Sequence, residues 1–307
     1  MLRFDVYSWF PGDSPVCISP GDGCYFQSSI HPDGDHALFW GGANGPARIW
    51  RADLDGNSCE PLTPADTGAR HPSYCANGQR IVFVSSRAAK QQPELVEVIF
   101  GYNTSGAPRR DLMLHIFSMK PDGSDVQQIT EGPVQDQRPT LSPDGQQVCF
   151  VSIRGGSFGL WIAAVDGSHQ PRKLETPVPV YRPVWSQDGE RIYGFTVVKG
   201  DRHQVGWVSP KDGRWHPLEN DDEGSTHGPF PDPCGENLLI HSNRHGRWSM
   251  YELPLDGHTP PRRLIPPGFE NALCVHPTRA KNGAMTFDSI PDGSWAQYNQ
   301  HNRSLNY

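Results

Sequence analysis

An all-β ring of six four-stranded blades, a β-propeller, is the fold this sequence predicts. Three observations predict it. A short landmark returns at near-constant spacing, brief apolar runs alternate with Asp-Gly and Asn-Gly turns, and the N-terminus reads as the missing half of the last unit. Pro183 to Gly189 (Pro-Val-Trp-Ser-Gln-Asp-Gly) is the clearest copy of the landmark, and Pro139 to Gly145 is the second. Pro72 to Gly78, Pro229 to Gly235 and Ser28 to Gly34 match less closely. Leu273 to Pro277 reads as a sixth copy, with extra residues before its glycine, Gly283. The copies begin at 28, 72, 139, 183, 229 and 273, in steps of 44, 67, 44, 46 and 44 residues. A fixed period of about 40–45 residues marks a β-propeller.

The remainder of each unit supplies the strands. A short apolar run follows each turn: Ile81 to Val84, Val148 to Val151, Ile192 to Phe195, Leu238 to Ile240. A second run ends in another turn, as in Ile49 to Gly56, Ile116 to Gly123 and Trp161 to Gly167. A third closes the unit at Glu60 to Thr63, Gln128 to Thr130, Lys173 to Glu175 and Arg263 to Ile265. Such runs linked by Asp-Gly or Asn-Gly are hairpin-joined antiparallel strands, four to a blade. The segment Arg3 to Gly12 aligns with a third strand and its turn, and Ser14 to Pro20 with a fourth. The last copy supplies two strands before Ser289. The sixth blade is therefore expected to take its outer strands from the N-terminus and its inner strands from the C-terminus, which hides the edges. The reading is one domain over 1–307, with residues 290–307 as a polar tail.

The Pro-x-x-Ser-Pro-Asp-Gly turn, the later Asp-Gly turn, and the Ser-x-Arg of Ser85 to Arg87, Ser152 to Arg154 and Ser242 to Arg244 resemble the TolB-like, PD40-type (WD40-like) propeller repeats. The resemblance covers nearly the whole chain. It implies the fold and says little of function, because one repeat serves many tasks. Related propellers include oligogalacturonate lyases, in which a base removes a proton beside a metal- or arginine-neutralised carboxylate. The present chain shows no clear His-x-His ligand pattern.

With 32 glycines and 30 prolines among 307 residues, the composition suits many tight turns. No run of 18 apolar residues occurs. Seven cysteines without a Cys-x-x-Cys motif suggest no disulfide framework. The first residues lack the basic start and apolar core of a signal peptide. These features point to a cytoplasmic protein, although the best-known members of the resembled family are periplasmic. A net charge of −7 with no basic run argues against nucleic acid as a partner. No cofactor motif is present: there is no Walker loop, Gly-x-Gly-x-x-Gly or His-Glu-x-x-His.

Propeller geometry places the starts of the first strands around one channel mouth, where rim loops commonly carry binding chemistry. The residues just before the landmark are Phe26-Gln27, Arg70-His71, Gln137-Arg138, Tyr181-Arg182, His227-Gly228 and Asn271-Ala272, a ring without a carboxylate. Neighbouring loops add His203, Arg244 and His245. The expected ligand is a small polar or anionic molecule, an oligosaccharide or uronate among the options, because arginine's planar fork suits carboxylate or phosphate. His71, Tyr181 and His227 are the candidate acid–base groups of a lyase or hydrolase at the same mouth. A divalent metal held by His71, His227 and His245 is a further option. The plainer alternative has Arg138 and Arg182 pairing with acidic residues such as Asp136 and merely stitching blades. His31 and His276 read as solvated residues of the turn after the first strand.

The 67-residue step places a loop insertion at Ala88 to Asp111, on the same face as the ring. Its apolar run Leu95 to Phe100 suits an ordered flap or a protein-binding strand. Three classes stay open: a ligand-binding propeller, an enzyme at the mouth, and an interaction scaffold that uses the flap.

Overall fold

The computed structural model of the chain describes residues 3–43, 45–87, 113–199, 202–218 and 223–290. They form 24 strands in six antiparallel four-stranded sheets. The first two strands are β1 (Asp5–Trp9) and β2 (Val16–Cys17). Blade 1 follows with β3 (Cys24–Ile30), β4 (His36–Gly42), β5 (Arg48–Asp53) and β6 (Cys59–Pro61). Blade 2 is β7 (Arg70–Tyr74), β8 (Ile81–Ser85), β9 (His115–Met119) and β10 (Gln127–Gln128). Blade 3 is β11 (Asp136–Leu141), β12 (Gln147–Ser152), β13 (Gly159–Ala164) and β14 (Arg172–Leu174). Blade 4 is β15 (Tyr181–Trp185), β16 (Ile192–Val198), β17 (Arg202–Val208) and β18 (Trp215–Pro217). Blade 5 is β19 (Thr226–Pro231), β20 (Asn237–Ser242), β21 (Ser249–Pro254) and β22 (Arg262–Leu264). The chain ends in β23 (Leu273–Arg279) and β24 (Met285–Ile290).

The sixth sheet runs β2-β1-β24-β23, so the two ends of the chain share a blade as the sequence predicts. Asp5 opposes Ser289 and Trp9 opposes Met285 across the seam. The Ser8 hydroxyl also donates to the Leu54 carbonyl of blade 1 at 2.5 Å. Ile290, expected to open the polar tail, is instead the buried last residue of β24, paired with Leu273. The Ala88 to Asp111 insertion and residues 291–307 lie outside the described residues.

Second strands are apolar on both faces because each sheet packs against two neighbours. In β8, Phe83 packs with Leu38 and Ile49 of blade 1, while Val82 and Val84 pack with Phe150 of blade 3. Each such side chain contributes roughly 1.5–3 kcal/mol by burial. The landmark turn explains itself in blades 3 and 4. Ser142 and Ser186 each donate to the aspartate two residues on, Asp144 and Asp188, at 2.5 Å. Their hydroxyls also accept the N–H of Gln147 and Arg191. Gly145 and Gly189 then take the left-handed conformation, at φ of 71° and 72°.

All six inner strands carry a β-bulge at the same place. The register shifts between Phe26 and Ser29, Arg70 and Ser73, Gln137 and Thr140, Tyr181 and Val184, His227 and Phe230, and Val275 and Thr278. Within each bulge one residue is left-handed: Gln27, His71, Arg138, Arg182, Gly228 and His276, with φ from 50° to 61°. Side chains other than glycine are disfavoured there by about 1–2 kcal/mol. Five of the six positions nevertheless carry large polar side chains, and strain of this kind concentrates at functional sites. Arg138→Gly is therefore expected to be about 1 kcal/mol more stable than Arg138→Ala, the reverse of the usual order within a strand. Urea unfolding of the two variants measures the difference; an Ala variant as stable as the Gly variant would show that the bulge is unstrained.

The bulge also corrects the register of the sixth landmark. Pro277, not Leu273, matches Pro72, Pro139, Pro183 and Pro229, and Gly283 then follows six residues later without insertion. His276 is therefore a member of the ring rather than a solvated turn residue. His31 is not solvated either: its side chain is 13% exposed.

Candidate functional site

Three consecutive residues from each blade line one cavity in the central channel. They are Gln27 to Ser29, His71 to Ser73, Arg138 to Thr140, Arg182 to Val184, Gly228 to Phe230 and His276 to Thr278. The cavity's volume is about 120 Å³. The bulge turns the left-handed residue of every blade toward the axis, so residues far apart in sequence become neighbours.

Gln27, His71, Arg138 and Arg182 thus lie where the sequence predicts. Tyr181 and His227 stand behind the lining. Tyr181 stacks between Phe158 and Phe195, with centroids at 4.8 and 5.4 Å. His227 stacks on Phe195 at 4.6 Å and touches His203, His241 and Trp248. Gln137 pairs with Val151 in the sheet and is not among the lining residues. Arg244 and His245 are not among them either. Arg244 lies over the Tyr251 ring at 5.3 Å, and His245 meets the Tyr251 hydroxyl at 2.8 Å. Among the described residues His71, His227 and His245 do not bring three ligand atoms within 4.8 Å of one another.

Asp136, the acidic partner suggested for the arginines, has a different one. Asp136 is taken by Arg154, which grips it with two hydrogen bonds of 3.2 and 2.6 Å. Arg138 and Arg182 also act electrostatically on the histidines. Burial, then Arg138, Arg70 and Arg182, hold His71 well below the ordinary histidine pKa. Burial, His241, His203 and the two arginines do the same to His227, and burial with Arg182 and Arg138 to His241. His276 is lowered by burial, Arg182, His241, Arg138 and His227. Behind His71, Arg70 is fully buried; its Nε and Nη2 have no hydrogen-bond partner, and burial draws its pKa down to about 9.

The ring does have a carboxyl group behind it, which the landmark positions alone did not reveal. Asp288 of β24 is fully buried, accepts the Gln27 N–H at 2.7 Å and lies 2.7 Å from Nδ1 of His276. Burial pushes its carboxyl up to about 8, against the Gln27 and Ser28 amides and Arg182. The Asp288–His276 pair accordingly keeps one proton near neutrality and offers no full counter-charge to the arginines.

Interblade comparison was the signal for the residues that sequence reasoning missed. Trp40, Val84, Val151, Phe195, His241 and Asp288 are the second-strand residues beside the bulge. Four are apolar. A histidine and an aspartate inside the apolar runs of β20 and β24 depart from what packing alone requires.

No family model matches the chain. A curated relative, the uncharacterized protein Atu1656 of Agrobacterium fabrum, is 29% identical over 153 residues, 48% of this chain and 47% of that protein, so the match spans about half of its length. Among solved structures, a TolB protein from Agrobacterium tumefaciens superposes with a TM-score of 0.70 at 16% identity, covering 94% of this chain and 99% of that one. TolB from Acinetobacter baumannii gives 0.61 at 14% identity, over 95% of this chain and 64% of that one. An oligogalacturonate lyase in complex with manganese gives 0.50 at 13% identity, over 96% and 98%. At these identities the likeness is one of fold: a TolB-like six-bladed propeller. No helix among the described residues is long and apolar enough to cross a membrane.

Proposed function

We propose that the channel binds a small anion, held by Arg138 and Arg182 and by hydrogen bonds from the surrounding imidazoles. The observation that carries this reading is the convergence of six left-handed residues, two of them arginines, on one cavity backed by buried histidines. Low-dielectric walls focus such a field toward the channel even though the chain is negative overall. A cavity of about 120 Å³ is well below the roughly 300–1,000 Å³ of sites for drug-sized ligands. It suits an inorganic oxyanion or the carboxylate end of a sugar acid better than an oligosaccharide. Seven cysteines without a disulfide accord with a reducing compartment.

Calorimetric titration with sulfate, phosphate and glucuronate tests the proposal. One site per chain is expected, with stabilisation of about 2.7 kcal/mol at a hundredfold excess over Kd. The variant Arg138→Ala/Arg182→Ala should lose the heat and the stabilisation together while still melting cooperatively. Equal stabilisation of the double variant would place the anions elsewhere on the surface. No effect on the native protein would leave the ring as blade stitching and put the scaffold reading first.

The Asp288–His276 pair favours a second reading, a lyase or hydrolase. His276 lines the cavity and a carboxyl group orients its ring, the arrangement of an imidazole base steered by an acid. The arginines would then neutralise a substrate carboxylate; once Asp288 is ionised, above about pH 8, it accepts the Nδ1–H of His276 and leaves Nε2 free to take the adjacent proton.

A further inference from the structure

The landmark turn of blade 1 departs from its five counterparts. Blades 3 and 4 begin it with Ser142 and Ser186, blade 2 with Cys75, blade 5 with Asp232 and blade 6 with Ala280. It closes on Arg80, Gln147, Arg191, Asn237 and Ala284 in those five blades. Blade 1 alone has an imidazole at both ends, His31 and His36, with Asp35 beside the second.

The three side chains converge. One carboxylate oxygen of Asp35 lies 3.3 Å from Nδ1 of His31 and 2.6 Å from Nδ1 of His36. All three potential ligand atoms fall within 4.8 Å of one another, the only such group among the described residues. The imidazole rings lie nearly parallel, 4.5 Å apart and inclined by 19°. Their surroundings hold them in place. Tyr74 of blade 2 stands edge-on to both rings, and Gly78 makes room for His31: a Cβ there would sit 2.2 Å from its Nε2. Both imidazoles are largely buried, whereas the Asp35 side chain is 67% exposed, which leaves a path for entry from water. Nε2 of His36 and the Tyr74 hydroxyl are buried without hydrogen-bond partners. Turn closure does not require any of this, since a serine hydroxyl does the work in blades 3 and 4.

We propose that His31, Asp35 and His36 form a transition-metal site, with zinc as the ion it suits best. The site sits at the end of the inner strand away from the channel mouth, at the seam between blades 1 and 2. Two imidazoles and a carboxylate form a donor set that favours zinc, cobalt or nickel over calcium or magnesium. Zinc bonds of about 2.0–2.1 Å put tetrahedral ligands about 3.3 Å apart, and the His31–Asp35 separation already has that value. The shorter His36–Asp35 contact is a hydrogen bond that the ion replaces. Binding shifts the His36 hydrogen from Nδ1 to Nε2, so that the neutral ring ligates through Nδ1, and splays the two rings slightly. The fourth position faces the exposed side and takes water.

Zinc titration of the intact chain, with cobalt as the spectroscopic probe, tests this. The expected result is one equivalent bound at micromolar concentration, with tetrahedral cobalt bands and no thiolate charge-transfer band. The last point matters because Cys17 and Cys234 are exposed. The variant His31→Ser/His36→Gln uses residues that blade 3 has at the same positions, and it should lose that equivalent. If it fails to melt cooperatively, Asp35→Asn serves instead, because the exposed side chain is dispensable for packing. It should weaken zinc at least tenfold, since even outer-shell changes cost about 10–100-fold. His241→Asn, in the channel, should bind zinc normally. The proposal is overturned if the native chain takes up no zinc, if the blade 1 variants bind as tightly as the native chain, or if only the channel variant loses the metal.

Discussion

Acidification from pH 7 to pH 5 should destabilise the folded ring steeply, by about 4 kcal/mol per pH unit at its steepest. His71 and His241 are buried and His227 is partly so, and desolvation together with neighbouring positive charge holds each below its ordinary pKa. The unfolded chain takes up these protons as the pH falls below about 6.5, whereas the folded chain resists them. A depressed histidine thus contributes stability that is fully present above its ordinary pKa and is lost on acidification. Each contributes about 1.4 kcal/mol per pH unit until the folded pKa is reached. His276 adds a fourth such group, but Asp288 has the opposite sign. Its folded pKa, about 8, is raised above the unfolded value, so its contribution is greatest at low pH and fades as the pH rises toward 8. The two members of the pair therefore cancel between about pH 4 and 6.5. Above neutrality Asp288 acts alone, and maximum stability should fall near pH 6.5–7. A typical domain has only about 5–15 kcal/mol in hand, so even one such group makes a measurable difference. Urea unfolding across pH 5 to 8.5 measures the curve. Asp288→Asn should flatten the alkaline side and steepen the acid side, and His241→Asn should reduce the acid slope by about one proton. A flat profile between pH 7 and 5 would mean that the imidazoles are already charged or freely hydrated.

The fold was legible in the sequence because its signal is repeated. Six Gly-ending turns, each followed by an apolar run, fixed the number of blades, and the N-terminal runs fixed the shared sixth blade. The site was legible where it follows the same repeat, as at Gln27, His71, Arg138 and Arg182. It failed where the repeat was read out of register. Placing the sixth landmark at Leu273 put Asn271 and Ala272 at the mouth and hid His276, although Pro277 and Gly283 carry the correct spacing. His241 and Asp288 were hidden for another reason. They occupy second-strand positions that packing usually gives to apolar residues, so the runs around them read as core. Tyr181 and His227 were assigned to the lining because they adjoin ring residues, but alternation along the strand directs their rings into the blade seams. The stacks with Phe195 record that outcome.

Anion binding in the channel should be coupled to proton uptake, with affinity rising up to tenfold for each unit that the pH falls between about 8 and 6. The groups concerned face one another from eight strands: His71 on β7, Arg138 on β11, Arg182 on β15, His203 on β17, His227 on β19, His241 on β20, His276 on β23 and Asp288 on β24. Without an anion the arginines oppose every added proton. An anion between Arg138 and Arg182 offsets that repulsion, so the nearest imidazole gains a proton when the site fills. His276 is the natural recipient, because it lines the cavity and Asp288 already shares a hydrogen with its far nitrogen. Sulfate is the probe of choice, since it does not itself titrate in this range. Calorimetry at pH 7 in two buffers of different ionisation heat should show between about half a proton and one proton taken up per sulfate. Asp288→Asn carries no titratable proton beside His276 and should alter that count, while Arg138→Ala/Arg182→Ala removes the binding itself. Sulfate bound with the same affinity from pH 8 to pH 6, and with no buffer-dependent heat, would show that the imidazoles meet the anion as neutral hydrogen-bond donors and that the field in the channel comes from the arginines alone.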